Sequence, residues 1–395
     1  MSMPPAALFP PFAFWLPLAA LLLLAQAGIL RLVLRPARGT LMRSLFGVLL
    51  ADALLVMALR FCVARMGSLD YSERFLIWRQ WFLVMGIVLV GLPLPLWVLV
   101  LRLAGANERP AEAVPPLINP LFKTALAMWL TAGLLVLVVG GDFTFLPKPA
   151  RVTAVEVPVI GLPRELDGVH IAVLTDLHVG SLVTPDTIRT RLRSLKKVKA
   201  DLLVILGDVT YLDSSYQPVA ACLLREYVIP QRTFAVGGNL DAGAGTDTLE
   251  EELTKVGIAY LDNELACVSL KGASLAIAGL SDAWTGSADL DDALSGVPEG
   301  ATTILLSHSP DTISDAAARG VDLVLAGHLH GGQIVIPFAG PAVGMSRFGT
   351  RFTSGPWRVG STHLVVSRGL GEEGIPLRLF CPPEIVLVTL RAGGK

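Results

Sequence analysis

Apolar positions follow two different rhythms along this chain. Before residue 150 they come in long runs, at about residues 12–30, 45–64, 81–101 and 124–141, each near the ~20 residues a helix needs to cross a bilayer. The first run has no charge before Arg31, the second is interrupted by Asp52 and Arg60, and the third carries Pro93 and Pro95. From about Ala150 the runs shorten. Val152, Val155, Val157 and Val159 suggest a strand, "LPRELDG" a turn, and "VHIAVLTD" a second strand. Ile188, Leu192, Leu195 and Val198 recur at helical spacing, and "DLLVILGD" then reads as a buried strand. The alternation continues through "TFAVGGN", "ASLAIAGL", "TTILLSHSP", "VDLVLAGH", "THLVVS" and "EIVLVTL". So many short strands among helices predict an α/β domain in which helices cover two packed sheets.

The expected organisation is a transmembrane region of about four helices over residues 1–146 and a second domain over 150–395, joined at Pro147 and Pro149. Composition agrees: 53% of residues are hydrophobic and 16% charged, with a mean hydropathy of +0.61. A cleavable signal peptide does not suit the first run, which lacks a basic leader and is followed by three more. Asp52 reads either as part of a proton or substrate path or as an interhelical partner of Arg60. Orientation follows from the loop charges. One arrangement puts Arg31, Arg35, Arg38, Arg43, Arg102, Arg109 and Lys123 in the cytoplasm, with Arg65, Arg74, Arg79, Lys148 and Arg151 outside. It has the larger cytoplasmic share, so a multi-pass protein of the cell membrane with its large domain on the extracytoplasmic side is expected. A net charge of −1 gives no reason to expect nucleic acid as a partner. The four cysteines form no close pairs, which argues against a disulfide framework or a cysteine zinc site.

Polar residues able to do chemistry gather where apolar strands stop. "VLTDLH" ends in Asp176 and His178, "VILGDV" in Gly207 and Asp208, and "FAVGGNLDAG" supplies Asn239. "LLSHSPD" supplies His308, and "VLAGHLHGGQ" supplies His328 and His330. Ligands in open α/β sheets collect outside the carboxyl ends of strands. An Asp and a His two apart offer an oxygen and an imidazole to one ion, and the two oxygens of Asp208, set after a glycine turn, can bridge two ions. Imidazole and carboxylate without thiolate suit Mn, Fe or Zn. Two such ions at roughly 3.5–4 Å would clamp a phosphate and activate water between them. Of six histidines four fall in this set; His170 and His363 lie within strand patterns and read as structural.

The order Asp-x-His, Gly-Asp, Gly-Asn-x-Asp, His, Gly-His-x-His resembles the calcineurin-like metallophosphoesterase family over roughly residues 150 to 390. "GHLHGGQI" and "SRGLG…GIPLR…PPEIVLVTL" are similar to its membrane-associated bacterial branch. The resemblance implies a four-layer sandwich, two mixed sheets flanked by helices. It further implies a first ion on Asp176, His178, Asp208 and His330, a second on Asp208, Asn239, His308 and His328, and a bridging hydroxide as nucleophile. Most members place a His between the Asn and Asp, where this chain has Leu240. That His is credited with protonating the leaving oxygen or binding the phosphate, and leucine can do neither. The loss bears hardest on basic leaving groups, such as alkoxides. The family's UDP-diacylglucosamine pyrophosphohydrolase also lacks the His, and it cleaves a pyrophosphate. The resemblance therefore points to hydrolysis of a phosphodiester or pyrophosphate by a membrane-anchored enzyme with two divalent ions. A bilayer and a phosphorylated small molecule or lipid are its expected partners, with oligomeric state left open. Arg347, Arg351, Arg368 and Arg378 are candidate phosphate contacts or surface and structural charges. Two alternatives stand beside this reading: a catalytically weak metal-binding protein, and a regulatory or sensor domain on a membrane protein.

Overall fold

Strand β1 (Arg151–Ile160) is the first of the described strands, and its inward valines, Val155, Val157 and Val159, alternate with exposed residues. A computed structural model describes residues 149–393 except 337, 342, 343, 345 and 375–377. The four apolar runs lie outside the described residues, and within them no helix is long and apolar enough to cross a membrane.

Three parallel strands follow, β2 (His170–Leu174), β3 (Leu202–Leu206) and β4 (Thr233–Val236), with the short β5 (Ala259–Tyr260) at their edge. The last strand, β14 (Glu384–Gly393), returns between β1 and β2, parallel to the first and antiparallel to the second. The resulting mixed sheet has the order β1-β14-β2-β3-β4-β5. A second mixed sheet, β12-β13-β9-β8-β7-β6, is built from β6 (Glu264–Leu270), β7 (Ala273–Gly279), β8 (Thr302–Leu306), β9 (Leu323–Ala326), β12 (Gly355–Val359) and β13 (Thr362–Val366). A small antiparallel ribbon joins β10 (Val335–Ile336) to β11 (Gly340–Pro341).

The strand alternation sorts side chains between layers. Ile171, Val173, Val204 and Leu206 of the first sheet meet Leu275, Ile277, Ile304, Leu323 and Leu325 of the second in one buried core. The opposite faces carry helices. Ala172, Leu174, Leu203 and Ile205 pack under α1 (Pro185–Leu192), α2 (Gln217–Arg225) and α4 (Thr246–Lys255), which follows the short α3 (Asn239–Ala244). On the second sheet, Ala278, Leu305, Val324 and Leu364 pack with α5 (Leu290–Ala293) and α6 (Ile313–Ala318). Strands such as β3, buried on both faces, have to be apolar throughout, and "LLVIL" is.

The helical periodicity from Ile188 to Val198 is only partly realised. Thr184 caps α1 by accepting from Thr187 N–H (3.3 Å), but the α-helix ends at Leu192. Residues Arg193–Lys197 tighten to a 3-10 turn and Val198 is extended. Leu195 stays buried despite the change of helix type.

Candidate metal centre

Chain segments leaving β2, β3 and β4 meet those leaving β8 and β9 where the carboxyl ends of the two sheets come together. Beyond the strands the backbone remains paired: Asp176 N–H donates to Gly207 O (3.0 Å) and His178 N–H to Asp208 O (2.9 Å). Asp176, His178, Asp208, His328 and His330 all have positive φ, between 49° and 69°. Left-handed backbone costs a non-glycine residue of order 1–3 kcal/mol and persists only where surroundings impose it. Its concentration in five polar residues at one place marks a site. Gly207 makes the turn before Asp208 with φ of 84°. Gly238 lies so close that a Cβ there would be 2.2 Å from Asp208 Oδ1.

The side chains form two buried clusters, Asp176–His178–His330 and Asp208–His308–His328, whose donor atoms within each lie no more than 4.8 Å apart. In the first, His178 Nε2 faces His330 Nε2 at 3.0 Å, and Asp176 Oδ1 is 3.9 and 3.6 Å from these nitrogens. In the second, His308 Nε2 is 3.3 Å from Asp208 Oδ2 and 3.2 Å from His328 Nδ1. Asp208 Oδ2 also lies 3.8 Å from His178 Nε2, so one oxygen faces both clusters. Atoms that share an ion at ~2.1 Å each can be at most ~4.2 Å apart, and these individual pair distances, 3.0 to 3.9 Å, meet that limit. His308 Nδ1 is engaged by Leu206 O (2.7 Å), which leaves Nε2 for the cluster.

Asn239 stands at the start of α3 beside Asp208. Its Oδ1 is buried with no hydrogen-bond partner, a costly state for an amide oxygen unless a cation accepts it. The next residue, Leu240, donates its backbone N–H to Asp208 Oδ1 (2.9 Å), so this position contributes through its main chain. Asp241 binds the turns together by accepting from Val209, Thr210 and Gly238 N–H (3.1, 3.0 and 3.2 Å).

Electrostatics follow from burial. Desolvation pushes the Asp176 carboxyl up to about 7, against the lowering effect of His308. Burial would also raise Asp208, but the charge and hydrogen bond of His308, with His178, hold it well below the usual carboxylate range. Burial opposes charge on His308 too, yet Asp208 and Asp176 raise it to about 10. Desolvation lowers His178 to about 4 and His330 well below its ordinary value, leaving both neutral with lone pairs to offer. Two carboxylates, four imidazoles and an unpartnered amide oxygen out of water are a donor set that divalent cations fit.

The calcineurin-like phosphoesterase family matches residues 169–332. The metallophosphoesterase YkuE of Bacillus subtilis is 34% identical over 235 residues, covering 58% of this chain and 82% of that protein. This chain belongs to the calcineurin-like metallophosphoesterase family. It is a metal-dependent phosphoesterase with the family's α/β fold of mixed sheets and two clusters of metal-binding side chains. The phosphodiesterase YaeI of Escherichia coli is 28% identical over 233 residues, covering 56% of this chain and 81% of that protein. The transmembrane protein with metallophosphoesterase domain of Bos taurus is 27% identical over 406 residues, covering 98% of this chain and 83% of that protein.

The candidate phosphate-binding arginines part company in the structure. Arg378 is buried. It donates to Gly371 O, to Arg368 O (2.7 Å) and to the ring and carbonyl of His330 (3.2 and 3.4 Å), with Glu372 3.6 Å away. The sequence hid this because an arginine in a loop gives no sign of how many carbonyls surround it. Arg347 pairs with Asp315 (3.3 Å), Arg351 lies over the Phe352 ring, and Arg368 is 4.0 Å from Glu384. His170 sits in β2 with Nδ1 2.9 Å from Thr389 Oγ1, outside both clusters, and His363 lies in β13. Three neighbours escaped sequence reasoning. Glu373 Oε2 comes within 3.8 Å of His330 Nε2, Trp284 leans on His328 with ring centres 5.0 Å apart, and Tyr211 meets His178 edge-on at 5.8 Å. None belongs to a spaced motif, so no one-dimensional signal separates them from other loop residues.

Proposed function

We propose that this chain is a membrane-anchored dinuclear-metal phosphohydrolase that cleaves a phosphodiester or pyrophosphate bond, on a lipid-linked or envelope substrate. Residues 1–146 would form the membrane region and 150–395 the catalytic domain. The anchor rests on the four apolar runs and on the relative named a transmembrane protein, which aligns with 98% of the chain. The single observation that carries the chemistry is Asp208 Oδ2, 3.3 Å from a nitrogen of one cluster and 3.8 Å from a nitrogen of the other. That arrangement supports a carboxylate shared by two sites. Asp176, His178 and His330 would complete the first, and Asn239, His308 and His328 the second. Mn, Fe or Zn suit these oxygen and imidazole donors. Divalent ions bound there supply a nucleophilic water at neutral pH and positive charge against the phosphoryl oxygens.

The chain's own part is positioning. Leu240 N–H fixes Asp208 Oδ1 (2.9 Å), Leu206 O fixes the His308 ring (2.7 Å), and Arg378 braces His330. The Leu240 side chain has no proton to give, so this position leaves departure of the oxygen unassisted. Substrates with weakly basic leaving groups, phosphoanhydrides and aryl esters, fit such a site. The test is metal analysis of the purified full-length protein and hydrolysis across substrates of graded leaving-group basicity. Two ions per chain and faster turnover of weakly basic leaving groups are expected. Absence of both bound metal and hydrolysis, with Mn or Zn supplied, would overturn the enzyme reading. Leu240→His should raise alkyl ester hydrolysis more than aryl ester hydrolysis, by up to the ~10²–10⁴-fold of a general acid. An equal gain, or none, would give Leu240 another role.

A further inference from the structure

Directly after the "GHLHGGQ" segment the sequence reads "IVIPFAGPAVGM", residues 334–345, with no charged residue. Part of this loop is the β10–β11 ribbon, and two of its described large side chains lie in solvent. Ile336 is 50% exposed and Phe338, at the turn, fully so. Phe380, 54% exposed, follows Leu379, which pairs with the base of the ribbon. Val335 N–H donates to Leu379 O (2.9 Å), Leu379 N–H donates to Gln333 O (3.0 Å), and Ile334 bridges Leu379. Phe338 and Phe380 both have positive φ, 69° and 53°, rare for bulky side chains. Leaving such rings in water is unfavourable, and exposed large apolar side chains of this kind mark an interaction surface.

Charge narrows the partner. From residue 331 to residue 371 the sequence contains no Asp or Glu, but it has Arg347, Arg351, Arg358 and Arg368. Arg347 and Arg368 lie beside Asp315 and Glu384, but Arg351 and Arg358 have no carboxylate partner among the described residues. An apolar tip in such a segment matches the boundary of an anionic bilayer, with acyl chains for the rings and phosphates for those two guanidinium groups. The ribbon is also rooted at the metal centre. Gln333, three residues past His330, exchanges hydrogen bonds with the Glu373 backbone (3.0 and 2.9 Å), and Glu373 is the residue whose carboxylate approaches His330.

We propose that the ribbon is an interfacial membrane element, in which Ile336, Phe338 and Phe380 enter the acyl boundary of an anionic leaflet and present a lipid-borne phosphoester to the metal centre. This rests on the membrane-anchored phosphohydrolase reading and assigns its substrate to the lipid phase. The full-length protein in phosphatidylcholine–phosphatidylglycerol vesicles tests it. Phe338→Cys, with Cys62 and the exposed Cys222 and Cys267 changed to serine, would carry a polarity-sensitive fluorophore. Quenching by lipids with acyl-chain nitroxides and protection from aqueous iodide are expected. Iodide quenching without nitroxide quenching would overturn the proposal. So would protection from both quenchers, which would put a second copy of the chain on the patch.

A second arm compares substrates. Phe338→Asp with Phe380→Asp should slow hydrolysis of a vesicle-borne phosphodiester about tenfold or more, while a soluble aryl phosphodiester keeps its rate. Equal loss on both substrates would mean that the ribbon shapes the metal centre, against the proposal. If the unmodified protein hydrolyses neither substrate, the functional reading fails, and quenching alone decides the fate of the ribbon.

Discussion

Asp208 has to satisfy more demands than any other side chain of the site. Its Oδ1 is held by Leu240 N–H at 2.9 Å and its Oδ2 faces both clusters, on a backbone with φ of 50°. Left-handed geometry at an aspartate is tolerable, because its short polar side chain can bond locally, and here it aims both oxygens inward. On the proposed two-ion reading, Asp208→Ala should lower metal content from two ions per chain to one or fewer. Losing even an outer partner of a metal ligand commonly costs 10–100-fold, so activity should fall by at least ~10²-fold. Metal analysis and steady-state rates on the same preparation check both. Retention of two ions would remove Asp208 from its shared role.

Among the elements, the turn from β4 into α3 is the tightest fit. At Gly238 φ is −112°, open to any residue, so space alone excludes a side chain. A Cβ would stand 2.2 Å from Asp208 Oδ1 and 2.5 Å from Asp208 N, and that backbone cannot yield cheaply. Gly238→Ala should cost about 1–3 kcal/mol. In a domain of this size that amounts to roughly 2–4 °C of Tm per kcal/mol, measured by thermal unfolding. Metal affinity should weaken with it, since Asp208 must shift. The loop between β13 and β14 works differently, through buried charge. Glu372 takes a bidentate pair from Arg191 (2.9 and 2.6 Å) and lies 3.6 Å from Arg378. Arg378→Met leaves several carbonyl acceptors without a donor and should cost about 3–5 kcal/mol in stability. With the role of Arg378 confined to bracing His330, KM should stay near its original value in the protein that folds. A KM effect without a Tm effect would restore it as a phosphate contact.

At the scale of the whole domain, the two clusters draw on both sheets, so cation binding and folding are linked. His328 N–H reaches across to both oxygens of Asp176 (3.1 Å each), and His308 reaches across to Leu206 O. A ligand present at 100 times its Kd stabilises the folded state by about 2.7 kcal/mol. Protons compete for the same atoms. Burial pushes Asp176 up to about 7, and Asp208 and Asp176 raise His308 to about 10 against its own desolvation. Below pH 7 a cation must displace protons from both groups, so affinity should fall by at least ~10-fold per pH unit from 7 downwards. The gain in Tm on adding Mn or Zn to chelator-stripped protein should therefore be larger at pH 8 than at pH 6. A gain independent of pH would contradict proton release from these side chains.

Six of the seven ligand candidates, together with Leu240, were legible as residues because each follows a strand that its apolar run defines, and parallel strands carry their functional groups at one end. Asn239 was legible too, though its part shows only in an amide oxygen left buried and unpartnered. The same apolar runs predict two packed sheets, because a strand buried on both faces has no other composition open to it. Helix type beyond Leu192 was not legible, since burial of Leu195 is compatible with either an α or a 3-10 turn. Nor was the insertion of β14 between β1 and β2, a pairing of residues more than 200 positions apart. Sequence by itself thus determined the buried strands that precede the site, the donor types that follow them and a Leu240 side chain with no proton to give, all of which are local chemistry. Tertiary structure alone decided that one oxygen of Asp208 faces both clusters, that Arg378 braces His330, and that Phe338 and Phe380 are left exposed. Those facts depend on which distant segments meet, and long-range contact leaves no period or composition in the chain.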